Sequence, residues 1–159
     1  TYNPGETRLK ERGTAAHNTV TINNRNSSEV WSSFRVARRA NVEVLKDERT
    51  HIIASHDGYR RLGSTHQREW NFFENKIKIS DSLSGKIKEG TAHIWLASTV
   101  ATKQKENIIE TGQATIEFEN AASVSLISTE IPNGYNRYSK THKLEIPFKN
   151  HLNTIITVY

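Results

Sequence analysis

One histidine, His17, stands among residues that could act on an anionic substrate. Two small alanines at 15–16 precede it, and polar and apolar residues alternate after it. In a strand over 18–22, this alternation would turn Val20 towards a core and Thr21, like His17, towards the opposite, polar face. The pattern therefore predicts that the imidazole of His17 faces solvent or a cleft, with room beside the alanines.

Two arginines, Arg8 and Arg12, lie shortly before His17, and the flexible Gly13 follows them. A planar guanidinium can hold a carboxylate through two parallel hydrogen bonds, so both are candidate substrate-binding residues for an anion. A solvated loop without a ligand is the alternative for the same two arginines. The sequence leaves both interpretations open.

Composition sets limits on the class of protein. The 159 residues fit one domain, and a domain of that size buries roughly 70% of its unfolded surface. There is no cysteine, which excludes disulfides and thiolate metal sites. No apolar run approaches the roughly 20 residues that a membrane-spanning helix needs, so no membrane partner is expected. Because the chain begins at Thr1 and not at Met, we interpret it as a C-terminal fragment of a longer protein.

The charge favours an anionic partner without naming it. The chain carries 22 Lys+Arg against 17 Asp+Glu, a net charge of +5, which would suit an anionic glycan, a nucleic acid or an acidic membrane surface. There is no Gly-x-Ser-x-Gly elbow and no glycine-rich phosphate loop, which argues against a serine hydrolase and a phosphate-loop enzyme. The other six histidines lack the close pairing of a zinc motif, and we interpret them as solvated or hydrogen-bonded.

Short alternating segments dominate the rest of the chain. Turn residues recur roughly every 8–12 positions, and no helix of ten or more residues is convincing, which is typical of antiparallel all-β domains. We predict a two-sheet antiparallel β-sandwich of about ten or eleven strands over 1–159. One long strand is expected over 34–45, after a helical turn at 28–32, and a loop over 1–16. Three tryptophans are assigned to the core in preference to a sugar-stacking surface: Trp31, Trp70 and Trp95.

Several motifs together resemble the heparinase II/III-like lyases. The resemblance covers most of the chain from 2 to about 98, and the last sixty residues match only in style. The motifs are Y-N-P-G at 2–5, R-G-T-A-A-H-N-T-V-T-I at 12–22, S-S-E-V-W-S-S-F-R-V-A-R-R-A at 27–40, H-D-G-Y at 56–59, His66 with Arg68, and I-x-I-x-D-x-L-x-G at 77–85.

The resemblance implies a protein of two parts, a helical toroid and a C-terminal β-sandwich, of which this chain is the second. Members of the family cleave polysaccharides that contain uronic acid by β-elimination. Such a reaction needs a neutraliser for the substrate carboxylate, a base and an acid. In the family these groups lie mostly on the helical part, so we expect this chain to form a cleft wall and to be inactive alone.

Residue by residue, the resemblance implies little chemistry on this chain. His17 matches a histidine that is a metal ligand in those family members that hold a metal, but its partner ligands would lie upstream. We therefore expect an incomplete metal site here and a divalent metal such as zinc only in the full-length protein. Tyr2 is a candidate acid or substrate contact. His56 and His66 match family positions and are assigned to structural hydrogen bonds.

The sequence thus predicts a domain that binds an anionic polysaccharide, such as a glycosaminoglycan or alginate, and works with a helical toroid domain. Periplasmic or secreted localisation in a bacterium follows from the family alone. The alternative is a non-catalytic carbohydrate-binding or assembly module. A weaker alternative, nucleic-acid binding through the basic charge, is not expected.

Overall fold

A computed structural model describes residues 5–32, 34–134 and 137–159. The chain forms one short helix, α1 (Glu6–Arg12), and two 3-10 helices, Thr14–Ala16 and Arg60–Leu62. The strands are β1 (Val20–Thr21), β2 (Glu29–Trp31), β3 (Arg35–Ala37), β4 (Val42–Glu48), β5 (His51–His56), β6 (Ser64–Phe72), β7 (Lys76–Gly85), β8 (Glu89–Trp95), β9 (Thr102–Lys105), β10 (Ile108–Thr111), β11 (Ala114–Ala121), β12 (Ser125–Pro132) and β13 (Tyr138–Val158).

Antiparallel pairing organises these strands into a β-sandwich, which confirms the predicted fold class. The longest path of paired strands runs β4-β5-β6-β7-β13-β11-β10-β9. Strand β13 also pairs with β12 and β8, and β1 pairs with β8. The described residues hold thirteen strands, more than predicted, because short strands such as β2, with three residues, give no periodic signal.

The 21-residue strand β13 is shared by two groups of paired strands. Its first half pairs with β12 and β8, and its second half pairs with β7 and β11. The two halves meet near Asn150, whose φ of 64° is tolerated by asparagine. Lys149, Asn150 and His151 at this point are exposed and interrupt the alternation of buried residues along the strand.

Several residues of the core belong to β13. Leu144, Ile146 and Leu152 of β13 are fully buried. Tyr59 is also buried and donates a hydrogen bond from its hydroxyl to the carbonyl of Val20, 2.6 Å away. This bond attaches the segment after β5 to the short strand β1.

Three local predictions are wrong. Residues 6–12 are helical, although Leu9 is the single apolar residue of α1 and gives no helical period. The strand expected over 34–45 is divided into β3 and β4, with Arg38 at a φ of 46° between them. The helical turn expected at 28–32 is mostly β2, which pairs with β3. No helix in the described residues is long and apolar enough to cross a membrane.

Candidate functional site

His17 is exposed, as predicted, but a loop and not a strand sets its direction. It follows the 3-10 helix Thr14–Ala16 with an extended backbone, φ −127° and ψ 162°. The strand expected from residue 18 begins only at Val20. Thr21, which was expected on the polar face, is 4% exposed, and its hydroxyl lies 2.9 Å from Nε2 of His93.

The segment before His17 is fixed by Thr14. Its backbone N–H donates to Oδ1 of Asn26 at 2.7 Å, and its hydroxyl accepts a hydrogen bond from the backbone N–H of Ser27 at 2.8 Å. At Gly13, a methyl group would lie 3.2 Å from the same Asn26 oxygen, so a side chain there would be crowded. The small residues of the motif therefore allow close packing against residues 26–27.

Asn18 fixes the segment after His17 by joining two parts of the sandwich. Its side-chain Oδ1 accepts a hydrogen bond from the backbone N–H of Trp95, 2.8 Å away at the end of β8. Its backbone carbonyl accepts one from Nη1 of Arg68, 2.6 Å away in β6. The indole Nε1 of Trp95 donates to the carbonyl of Ala15 at 3.0 Å. His17 is therefore held between anchored neighbours.

A largely buried hydrogen-bonded network of side chains holds Arg68. Its Nε and Nη2 donate to the two carboxylate oxygens of Asp81 at 2.7 and 3.0 Å. Nε2 of His66 lies 2.7 Å from Oδ1 of Asp81, and its Nδ1 lies 3.0 Å from Nε2 of His56. The backbone N–H of Gly58 donates to Nδ1 of His56 at 3.2 Å. These contacts assign both rings as neutral tautomers that carry their protons on Nε2.

The surroundings keep the carboxylate of Asp81 charged and the ring of His56 neutral. Burial is the main cause that lowers the pKa of His56 to about 4, with His66 second. For Asp81, burial would raise the pKa, but the hydrogen bond from His66 and the charge of Arg68 outweigh it, so the pKa lies below its usual value. The assignment of His56 and His66 to structural hydrogen bonds agrees with this arrangement.

Acid is expected to destabilise the protein between about pH 6.5 and pH 4 through two buried histidines. Burial lowers the pKa of His93, like that of His56, to about 4. In this window the unfolded chain binds protons that the folded chain does not, so stability is complete above the window and is lost as pH falls through it. The free energy of unfolding should fall by up to about 1.4 kcal/mol per pH unit for each histidine. Urea unfolding across the window measures this slope, and a constant value would contradict it.

Arg8 and Arg12 turn towards the β2–β3 hairpin. Nη2 of Arg12 donates to the carbonyls of Phe34 and Arg35 at 3.2 and 3.5 Å. The guanidinium carbon of Arg8 lies 5.8 Å from the centre of the Phe34 ring. Their role as substrate-binding residues stays a prediction. Tyr2, the other candidate, lies outside the described residues.

A groove of about 770 Å³ opens beside the 3-10 helix that precedes His17. Its walls come from α1, from the Thr14–Ala16 turn, from Trp95 and from the hairpin of β12 and β13. Lys143 lies over the Trp95 ring, with Nζ 5.3 Å from its centre. The residues that line the groove are Thr7, Leu9, Lys10, Glu11, Gly13, Ala15, Ala16, Asn26, Trp95, Thr129, Glu130, Ile131, Pro132, Tyr138 and Lys143.

None of the tryptophans lies in the buried core, so their assignment to the core is wrong. Trp31 is 45% exposed, with the guanidinium of Arg35 4.9 Å from its ring centre. Trp70 is half-buried beside Arg68, and Trp95 lines the groove. Two of the three rings are therefore open to a ligand.

The residues present do not form a metal site by themselves. Within 5–32, 34–134 and 137–159, no group of three or more His, Cys, Asp or Glu side chains could hold a metal ion. His17 offers one imidazole, and one imidazole does not retain a zinc ion. The metal of the full-length protein stays a prediction.

Sequence reasoning missed Asn18, Asp81 and the role of Arg68. Arg68 and Asp81 stand opposite each other only in the register of β6 and β7. An aspartate among the apolar residues of 77–83 was the available signal, because a buried carboxylate needs a charged partner.

Comparisons with known proteins give the family. Heparinase III, the BT4657 gene product, is similar in structure, with 18% identity and a TM-score of 0.72 over 98% of this chain and 26% of that one. Heparan sulfate lyase HepC from Pedobacter heparinus has 20% identity and a TM-score of 0.71 over 96% of this chain. The chain spans about a quarter of the length of these structures.

These structural similarities show the fold. In a separate comparison, no curated protein matches the chain. The model of one family, described as Heparinase II/III-like, C-terminal, matches residues 1–158. The chain therefore belongs to the heparinase II/III-like C-terminal family.

Proposed function

We propose that this chain is the C-terminal domain of a lyase that cleaves polysaccharides containing uronic acid by β-elimination. It forms one wall of the glycan cleft, and a helical toroid domain supplies most of the catalytic groups. The observation that carries the proposal is the rigid presentation of exposed His17 directly after Ala15 and Ala16, which line a groove of about 770 Å³.

The groove has the chemistry that an acidic glycan requires. Lys10 supplies positive charge, Trp95 supplies an aromatic ring, and the Gly13 and Ala16 walls leave room for a sugar ring. The charge of Lys143 is paired with Glu145 at 2.8 Å, and Glu11 and Glu130 also line the groove. β-Elimination removes a proton beside a carboxylate and expels a glycosidic oxygen, so it needs charge neutralisation, a base and an acid. His17 is the residue of this chain proposed to reach the reacting sugar.

The test of this division of labour compares two preparations. The chain joined to its helical domain should release unsaturated uronate from heparan sulfate or alginate, seen as rising ultraviolet absorbance. The 159-residue chain alone should release none. Product from the chain alone would contradict the proposal, as would the absence of product from both preparations on every uronate polymer tried.

Lys10→Ala is expected to weaken binding of an acidic oligosaccharide about two- to fivefold, because an exposed ion pair contributes about 0.5–1 kcal/mol. Isothermal titration of the chain joined to its helical domain measures the affinity. Lys105→Ala is the matched control, since Lys105 is exposed in β9 and does not line the groove. Equal affinities for both variants would place the glycan elsewhere.

The helical domain is proposed to cover the edge of the sandwich at β4. This strand ends the longest path of paired strands, and Val42 and Val44 are 69% and 60% exposed. Such apolar side chains on an edge strand favour a protein partner.

Periplasmic or secreted localisation is part of the same proposal, because extracellular polysaccharides are the substrate class. Cell fractionation tests this localisation.

A non-catalytic carbohydrate-binding module is the second candidate function. The exposed ring of Trp31, beside Arg35, favours it, because aromatic rings with a nearby cation can bind acidic sugars. In that case Trp31→Ala would abolish glycan binding, and the protein joined to the helical domain would release no unsaturated product.

A further inference from the structure

A largely buried network of side chains ends at the backbone of Asn18. Its members are His56, His66, Asp81 and Arg68. Its last hydrogen bond runs from Nη1 of Arg68 to the carbonyl of Asn18, the residue after His17. Arg68 is 16% exposed at its side chain, and Asp81 and His66 are 2% and 3% exposed. The network therefore passes from the interior to the backbone of the candidate site.

The geometry leaves Arg68 little freedom. Two of its nitrogens are engaged by the carboxylate of Asp81 in a fork, which fixes the plane of the guanidinium. Asp81 is itself fixed by Nε2 of His66, and Nδ1 of His66 is occupied by Nε2 of His56. Each member thus sets the orientation of the next.

Burying such a network is costly. Apolar side chains of similar volume would fill the same space with equal or greater stability, because two charges lose their hydration. A polar network at this place therefore suggests a role beyond packing. Its contact with Asn18 indicates that this role is to position the backbone beside His17. Asn18 also accepts a hydrogen bond from Trp95, whose ring lines the groove, so the network and the groove meet at this residue.

We propose that Arg68, oriented by Asp81, His66 and His56, is a positioning residue that fixes the direction in which His17 enters the glycan cleft. The proposal rests on the proposed function for the role of His17, but the contact with Asn18 does not depend on it. Arg68 touches no substrate in this proposal and acts through the backbone of residues 17–19.

Arg68→Lys is the main test. The ammonium of lysine keeps the positive charge beside Asp81 but cannot donate to both carboxylate oxygens and to the Asn18 carbonyl in a fixed fork. In the chain joined to its helical domain, kcat should fall about 10- to 100-fold, while KM changes less than about threefold, because misplacing a reacting group affects the transition state most.

His51→Gln is the matched control. His51 also pairs with a carboxylate between β5 and β6, with Nε2 2.7 Å from Oε1 of Glu69, but this pair does not contact Asn18. His66→Gln is the second variant, since glutamine can donate to Asp81 but offers no Nδ1 to His56. It should lower kcat by less than Arg68→Lys does, and His51→Gln should leave kcat within about twofold.

A second readout does not require activity. In protein labelled with ¹³C at histidine Cε1, the signal of His17 is the one lost in His17→Gln. That signal should shift or broaden in Arg68→Lys and stay in place in His51→Gln. If Arg68→Lys and His66→Gln are folded, keep the His17 signal and keep kcat within about twofold, the network is structural only.

Failure of the proposed function and failure of the positioning role of Arg68 give different results. If the unmodified two-domain protein releases no unsaturated uronate, the proposed function is wrong, and the His17 signal alone decides whether Arg68 positions this residue. If the unmodified protein is active and the variants match it in both readouts, the positioning role is wrong.

Discussion

Asp81→Ala is expected to lower the free energy of unfolding by about 3–5 kcal/mol, because it leaves the guanidinium of Arg68 partly buried without its carboxylate. Asp81 accepts hydrogen bonds from both Arg68 and His66, so the substitution removes three contacts at once. Equilibrium unfolding in urea at about pH 7.5 measures the effect. At this pH His56 is neutral, since burial lowers its pKa to about 4.

Glu69→Ala is the control for Asp81→Ala. Glu69 also accepts a hydrogen bond from a histidine, His51, but the side chains of this pair are 33% and 25% exposed. A polar side-chain pair open to solvent contributes about 0–1 kcal/mol, so the loss in the free energy of unfolding should be several times smaller. Equal losses for the two variants would contradict the claim that burial of the network makes it expensive to break.

The strands that pack on the core were predictable from the sequence. The alternation over 76–81, with Ile77 and Ile79 on one face, indicated the first part of β7, because a strand with one face buried repeats every two residues. Helix α1 was not predictable in this way, because Leu9 alone cannot form an apolar stripe. Its last residue, Arg12, donates to carbonyls of the β2–β3 hairpin, a contact between residues more than twenty positions apart.

The candidate site was predictable only in part. His17 was identified from its small neighbours and its polar position, and it is exposed. Its direction depends on Asn18 and Arg68, which are fifty residues apart in the chain. No local pattern joins them, because the contact exists only after β6 and β7 bring Arg68 opposite Asp81.

The sequence also predicted only part of the groove. Small residues before His17 indicated open space, and Gly13, Ala15 and Ala16 do line it. Arg8 and Arg12 lie towards the β2–β3 hairpin, and their role as substrate-binding residues stays a prediction. The lysines at 10 and 143 line the groove.

His17→Gln, made in the chain joined to the proposed helical toroid domain, is expected to lower kcat on a uronate polymer about 10²- to 10⁴-fold. Glutamine retains much of the size and polarity of the imidazole but lacks the ring nitrogens that could bind a metal ion or transfer a proton. Because His17 is exposed, the free energy of unfolding should change by no more than about 0.5 kcal/mol. Loss of activity without loss of stability would separate a role in the cleft from a role in folding.

His151→Gln is the control, since His151 is exposed near the bend of β13 and does not line the groove. It should keep kcat within about twofold, because surface substitutions away from a site have small effects. If His17→Gln also keeps kcat within that range, the rigid presentation of His17 serves only packing. In that case Trp95 and Lys143 would be the remaining groove residues to test for contact with the glycan.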